Sequence, residues 1–362
     1  MVLCQCIKND GQQCTRNVST KEQDKRFCYQ HQGCNNVISV VAPIKPLIIA
    51  PKLVIPLKPL PPAPVPKIKL LVKKPTDTSV LLKPPLSPSK KLSIKGVITI
   101  TFGDQGENHK GMQIIGTPAD HGFSIDDLKS AKAKFEARGC QCELIDLNKY
   151  LPDGIVGAPA SILIARQGIN YLDGEIHDMA DLMFFEQNGL QWDTKAKMYG
   201  KVVNKHARYN LTYDDIAQDP DYENGKGRIV PFKDIPLTNL VRESLPYFLG
   251  VGAEKLVAEG NKYYDVNTCG ISYHGDGERK KVIAIRLGQS MPLHYQWYQH
   301  STPLGARVDM ILNHGDLYVM SEKAVGFDWK CPSKVTLRHA AGCAKMTAVP
   351  EKKVKPKSFI PK

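Results

Sequence analysis

"ISYHGDGERKKVIAIRLG", residues 271–288, sets a histidine and an aspartate two positions apart, just before an alternating, β-branched run. In an extended chain residues i and i+2 project to the same side, so His274 and Asp276 share one face at the mouth of a strand. An oxygen-activating Fe(II) site needs two imidazoles and one carboxylate on one face, with its remaining positions free. His-x-Asp supplies two of those ligands, and the third must come from far along the chain.

From Tyr199 onward the pattern is strand-rich. "GRIVPF", "KYYDV", "CGISYH", "KKVIAIRLG", "MPLHYQWYQH", "RVDMILNHGDLYVM" and "KVTLRHAAG" are β-branched or aromatic and are separated by Gly, Pro and Asp turns. That repetition predicts a sandwich or jelly roll. Ahead of it, "KGVITITFGD" predicts a strand over 97–102, and "SIDDLKSAKAKFEARG" a helix with Ser124 as N-cap and Gly139 as stop. "CQCELIDL" and "ASILIARQG" read as strands and "HDMADLMFFEQNG" as a second helix, so residues 96–198 are expected to form a small α/β region. Its loop histidines, His109 and His121, flank "GMQIIGTPADHG".

Several motifs then occur in an ordered series: "YGKVVNKHARYNLTYDD", "KYYDVNTCGISYHGDGER", "VIAIRLG" and "LNHGDLYVM". The run from Tyr199 to Gly342 resembles the AlkB-type Fe(II)/2-oxoglutarate dioxygenases. The resemblance implies a double-stranded β-helix (jelly-roll) core in an α+β protein, using Fe(II), 2-oxoglutarate and O2 to hydroxylate an alkyl group, most readily on a nucleic-acid base. It matches His274 and Asp276 to the first two iron ligands, Tyr264 and Asn261 to the family's Asn-x-Tyr contacts with 2-oxoglutarate, and Arg208 to the basic mouth of the substrate groove. Asn261 stands one place further from Tyr264 than that motif allows.

The sequence departs from the family at the distal histidine, whose usual place holds Asp328, Trp329 and Lys330. A protonated lysine cannot ligate iron. His339, in "TLRHAAG", is therefore the expected third ligand, with His314 as the alternative. The family also anchors the 2-oxoglutarate carboxylate on an arginine after the distal histidine, because a guanidinium fork matches a carboxylate in two parallel bonds. No arginine follows His339, which leaves Lys345, Arg338 and Arg286 as candidate anchors. The aromatic run at 294–300 offers Tyr295 and Trp297 either to stack a base or to pack the barrel.

The first 40 residues have a chemistry of their own. Cys6, Cys14, Cys28 and His31 give two pairs of soft ligands, as a tetrahedral zinc site requires, with Cys4 and Cys34 as spare thiols. The set resembles a small Cys-Cys-Cys-His module of proteins from large DNA viruses, and so short a segment would draw its folding free energy from the metal. Residues 41–95, as in "PLKPLPPAPVPKIKLLVKKP", lose backbone donors to proline and read as an extended linker. The expected division is thus 1–40, 41–95, 96–198, 199–347 and a basic tail over 348–362.

A formal charge of +13 points to a polyanionic partner, with nucleic acid the commonest. The sequence has no apolar run of membrane-spanning length and no apolar N-terminal signal core, so it reads as soluble and intracellular, of a cell or a virus, with no membrane partner. Two functions remain open: an oxygenase acting on nucleic acid, and a non-catalytic nucleic-acid- or protein-binding protein on a degenerate oxygenase fold.

Overall fold

Val282–Gly288, the strand that follows the His-x-Asp pair, is buried along its whole length. A strand buried on both faces needs cover on both, and this requirement sets the layering. The structure is a computed structural model that describes residues 95–349, apart from Glu175 and His177. The expected zinc ligands Cys6, Cys14, Cys28 and His31, the proline-rich linker and nearly all of the basic tail lie outside the described residues.

The larger of two main sheets has eight strands, in the order Cys142–Asp146, Ser161–Ala165, Leu317–Met320, Val282–Gly288, Val97–Gly103, Val257–Tyr263, Tyr209–Asp214 and Ile229–Pro231. All neighbours run antiparallel except the last two strands, which pair in parallel. The smaller sheet orders Gly270–His274, Thr336–Gly342, Met291–Gln299 and Thr302–Leu312, again antiparallel.

Alternation assigns each residue of the large sheet to a layer. Ile98, Ile100, Ile283 and Ile285 pack under the helices Ile125–Ala137, Met179–Asn188 and Pro236–Leu249, against Leu128, Phe135, Met183 and Phe248. Their neighbours Val97, Val282 and Ala284 face the small sheet, against Leu293, Tyr295, Trp297 and Leu337. The protein is a mixed α+β structure dominated by antiparallel strands.

The helix over 125–137 has the expected Ser124 cap, whose side chain accepts from the Asp127 N–H in a full capping box. The strands near 97–102, 142–146 and 161–165 and the helix ending at Gly189 also form where the pattern predicts them. The helix Pro236–Leu249 is one that the pattern does not announce. Pro236 in its first turn and Gly250 at its end are ordinary helix punctuation, but Pro246 inside it argues against a helix.

The expected boundary at 198/199 does not divide the described chain. Val97–Gly103 is hydrogen-bonded on one side to Val257–Tyr263 and on the other to Val282–Gly288, so separating the two regions would expose both ladders. Among the described residues no helix is long and apolar enough to cross a membrane.

Candidate metal centre

His274 ends its strand directly opposite His339 on the neighbouring strand. Asp276 lies just beyond, where its N–H donates to the Val325 carbonyl at 3.0 Å. Between them a Cβ on Gly275 would stand 2.1 Å from the Gly326 carbonyl oxygen, so only glycine lets the chain pass and hold both side chains on one face.

The three side chains converge, with one ligand atom from each lying within 4.8 Å of the others. Asp276 Oδ1 is 3.4 Å from His274 Nε2 and 3.5 Å from His339 Nε2. Donors about 2.1 Å from a common ion stand about 3 to 4 Å apart, so these spacings fit one metal. His274 Nδ1 lies 2.8 Å from the Ser272 carbonyl, a bond that assigns its proton to Nδ1 and leaves the Nε2 lone pair for a ligand role. Burial, aided by the neighbouring His274, holds the His339 imidazole below its usual range, so it is neutral at pH 7. Burial works against ionisation of Asp276, but the Arg279 guanidinium and the two histidines hold its carboxyl well below the ordinary value. A neutral His339 imidazole and an ionised Asp276 carboxylate are protonation states that suit a divalent first-row metal.

The triad opens on a cavity of about 730 Å³. On its inner wall Arg286 is 1% exposed, and its Nε and Nη1 have no hydrogen-bond partner among the described residues. It shares strand parity with Val282 and Ala284 and therefore points between the sheets. Its partner in register is Thr99, whose hydroxyl is likewise unpartnered among the described residues. Buried polar atoms are almost always paired, so a guanidinium and a hydroxyl left open on a cavity wall form a cradle for an anionic group with several acceptors. Tyr318 and Tyr263 line the same space, and burial pushes the Tyr318 phenol up to about 12 with the Arg286 charge working the other way.

A second buried arginine, Arg279, is neutralised. It pairs with Glu259 and, at 2.8 Å, with Glu278, and its Nε lies 3.6 Å from Asp276. Glu107 also lines the cavity, where burial and the adjacent Glu278 and Glu259 push its carboxyl up to about 7.

Of the expected site residues, the structure brings together His274, Asp276, His339, Arg286, Asn261 and Arg208 around this cavity. Arg208 Nε donates to Asn261 Oδ1 at 2.6 Å. The expectation for Tyr264 fails. Its ring is 39% exposed and stacks on Tyr209, and its hydroxyl donates to the His206 carbonyl at 2.5 Å. Tyr263, two residues from Asn261 and on the same face of the strand, lines the cavity instead.

Lys345 is exposed in the short helix Ala344–Thr347 and does not line the cavity. Arg338 is one residue from His339 and so faces the other side of its sheet, over Tyr298. Tyr295 and Trp297 are core residues at 0% exposure, and the Trp297 indole donates to the Leu147 carbonyl. His314 is remote from the triad: its Nδ1 accepts from the Gly288 N–H and its Nε2 faces Asp181. His109 lines the cavity, whereas His121 is exposed away from it. Thr99, Tyr263, Arg279 and Glu107 are site residues that the motifs do not single out, although strand parity with Asn261 already points to Tyr263.

No family model matches the chain. The uncharacterized protein R156 of Acanthamoeba polyphaga mimivirus is 50% identical over 258 residues, which is 70% of this chain and 98% of that protein. At that identity and coverage the chain belongs to the family of this mimivirus protein.

Proposed function

We propose that the protein is an Fe(II)/2-oxoglutarate-dependent oxygenase of the AlkB type, built on a jelly roll and hydroxylating an alkyl group on a nucleic-acid base. The observation that carries the reading is the convergence of His274, Asp276 and His339 beside the unpartnered Arg286 in one cavity.

The strand pairings support the jelly roll. Rolling up an antiparallel ribbon of eight strands pairs 1 with 8, 2 with 7, 3 with 6 and 4 with 5, and sends alternate pairs to opposite sheets. Counting from Val257–Tyr263, the pairs 2–7, 3–6 and 4–5 are Gly270–His274 with Thr336–Gly342, Val282–Gly288 with Leu317–Met320, and Met291–Gln299 with Thr302–Leu312. The slot beside strand 1 is filled by Val97–Gly103, from the N-terminal side of the domain. The wanted anchor after His339 belongs to a strand that here comes first and carries Thr99 where it faces Arg286. On this reading the guanidinium has moved one strand across and still reaches the same cavity.

Fe(II) bound by His274, Asp276 and His339 would supply the activation of O2 and the decarboxylation of 2-oxoglutarate. Arg286 and Thr99 orient the distal carboxylate, with Tyr263 and Tyr318 closing around it. Asn261 and Arg208 form a further wall, and Arg279 holds the Asp276 carboxylate in its ionised state. The net charge of +13 favours a polyanionic substrate.

Anaerobic titration with Fe(II) and 2-oxoglutarate tests the reading. The wild type should show the weak visible metal-to-ligand absorption band, His339→Ala should lack it, and N-methylated oligonucleotide should release formaldehyde on admission of O2. Equal turnover in wild type and His339→Ala would sink the assignment.

A further inference from the structure

At the cavity mouth Trp329 is surrounded by cations. The Lys110 and Lys330 ammonium groups lie 5.8 and 5.7 Å from its ring centroid, and the Arg338 guanidinium 5.4 Å. Arg338 also sits 4.2 Å over the ring of Tyr298, so its flat head is held between two aromatic rings. Tyr298 in turn lies 6.1 Å from Tyr273, which returns to the cavity lining with Trp329, Lys110 and Lys330. The result is a row of rings and charges that reaches the mouth, in which Tyr298 is buried and Trp329 is half-buried.

The cations in this row are not neutralised. None of the three forms an ion pair among the described residues, and the nearby Asp328 is engaged with Lys323 at 2.8 Å. The Trp329 indole N–H, Arg338 Nε and the hydroxyls of Tyr298 and Tyr273 have no hydrogen-bond partner among the described residues either. Cations alone would suit any polyanion. A half-buried indole set among them suits a polymer that alternates phosphates with flat faces, since base–aromatic stacking is indifferent to base identity while lysine and arginine follow the backbone. In a duplex the faces of the bases are occupied by their neighbours, whereas in a single strand they are free.

We propose that the row Trp329, Arg338, Lys330 and Lys110 is a docking platform for single-stranded nucleic acid, stacking a base next to the one that enters the cavity. The proposal rests on the oxygenase reading of that cavity, to which the row leads. Trp329 takes the base, and the three cations take the phosphates on either side of it.

The chain carries its own probe. Of its three tryptophans, Trp192 and Trp297 are buried, so quenching of intrinsic fluorescence by a nucleic acid reports Trp329 even while other basic segments bind the same polymer. Full-length protein titrated with an oligothymidylate of about twelve nucleotides should show saturable quenching, which Trp329→Phe abolishes. The double variant Arg338→Gln, Lys330→Gln should weaken the quench-derived affinity at least about fivefold. It should also lower the salt slope by about one per lost phosphate contact.

Absent quenching, quenching unchanged in the double variant, or equal quenching by a duplex or by polyglutamate would overturn the platform. The metal and 2-oxoglutarate absorption band separates the two claims. A band without quenching removes the platform alone, and quenching without a band removes the oxygenase reading and keeps the platform.

Discussion

Arg279 and Arg286 line the same cavity and are 3% and 1% exposed, yet their surroundings are opposite. Arg279 is enclosed by Glu259, Glu278 and Asp276, so its charge is balanced within the protein. Arg286 has no ion pair among the described residues, and two of its guanidinium nitrogens are unpartnered there. A buried charge that is balanced belongs to the framework, and one that is not marks where a ligand of opposite charge completes the structure.

The largest effect should follow from breaking the balanced arginine. Arg279→Met strands the buried Glu259 and half-buried Glu278 carboxylates beside Asp276, and removing one partner of a buried ion pair costs about 3 to 5 kcal/mol. Chemical denaturation should show a loss of that order. A change under about 1 kcal/mol would mean that the cluster is too well hydrated to matter.

Arg286→Met should behave in the opposite way. Removing an unpaired buried charge relieves its desolvation cost, so the metal-free protein should become more stable by about 1 to 3 kcal/mol. Its affinity for 2-oxoglutarate should fall by about thirtyfold or more, the usual effect of truncating one partner of a buried charge pair. If Arg286→Met lost stability and kept its 2-oxoglutarate affinity, the contrast between the two arginines would collapse.

Glu107 gives a pH-dependent version of the same comparison. Its carboxyl is pushed from 4.5 to about 7 in the folded protein, so the folded state holds a proton that the unfolded chain releases. Stability is greatest below the unfolded value and falls as pH rises between these two values. Glu107→Gln removes that loss, so its stability relative to wild type should improve from about pH 5 to about pH 8. A difference that does not vary with pH would contradict the raised value.

The two halves of the site are unequally legible in the sequence. His274 and Asp276 lie at one strand end with fixed spacing, and His339 is the histidine left in a late strand; a motif and a period of two suffice for such a set. The anion cradle is not legible. Thr99 meets Arg286 only because Val97–Gly103 is inserted between two strands that follow it far along the chain, and pairing over such a distance leaves no local signature. The same insertion explains why the division at 198/199 looks natural from composition and is absent from the sheet. Trp297 and Tyr295 mislead for another reason: an aromatic run on a strand reads alike whether it packs a core or meets a ligand, and only the layer it faces decides.

The smallest effect belongs to the adjacent tyrosines, which separate a cavity residue from a surface one by a single step of the strand. Tyr263 ends Val257–Tyr263, is 4% exposed and lines the cavity with Asn261, whereas the Tyr264 hydroxyl is engaged with the His206 carbonyl at the surface. Removing one hydroxyl that meets a ligand costs about 0.5 to 1.5 kcal/mol of binding, so Tyr263→Phe should raise the KM for 2-oxoglutarate about two- to tenfold. Tyr264→Phe removes a hydrogen bond that water can replace and should leave that KM unchanged. Steady-state kinetics on both variants, with the metal and 2-oxoglutarate absorption band as a check on site assembly, distinguishes them. The reverse order, with Tyr264→Phe the impaired variant, would mean that the strand is out of register by one residue. Every inward assignment along it, Asn261 and Glu259 included, would then have to be exchanged for its neighbour.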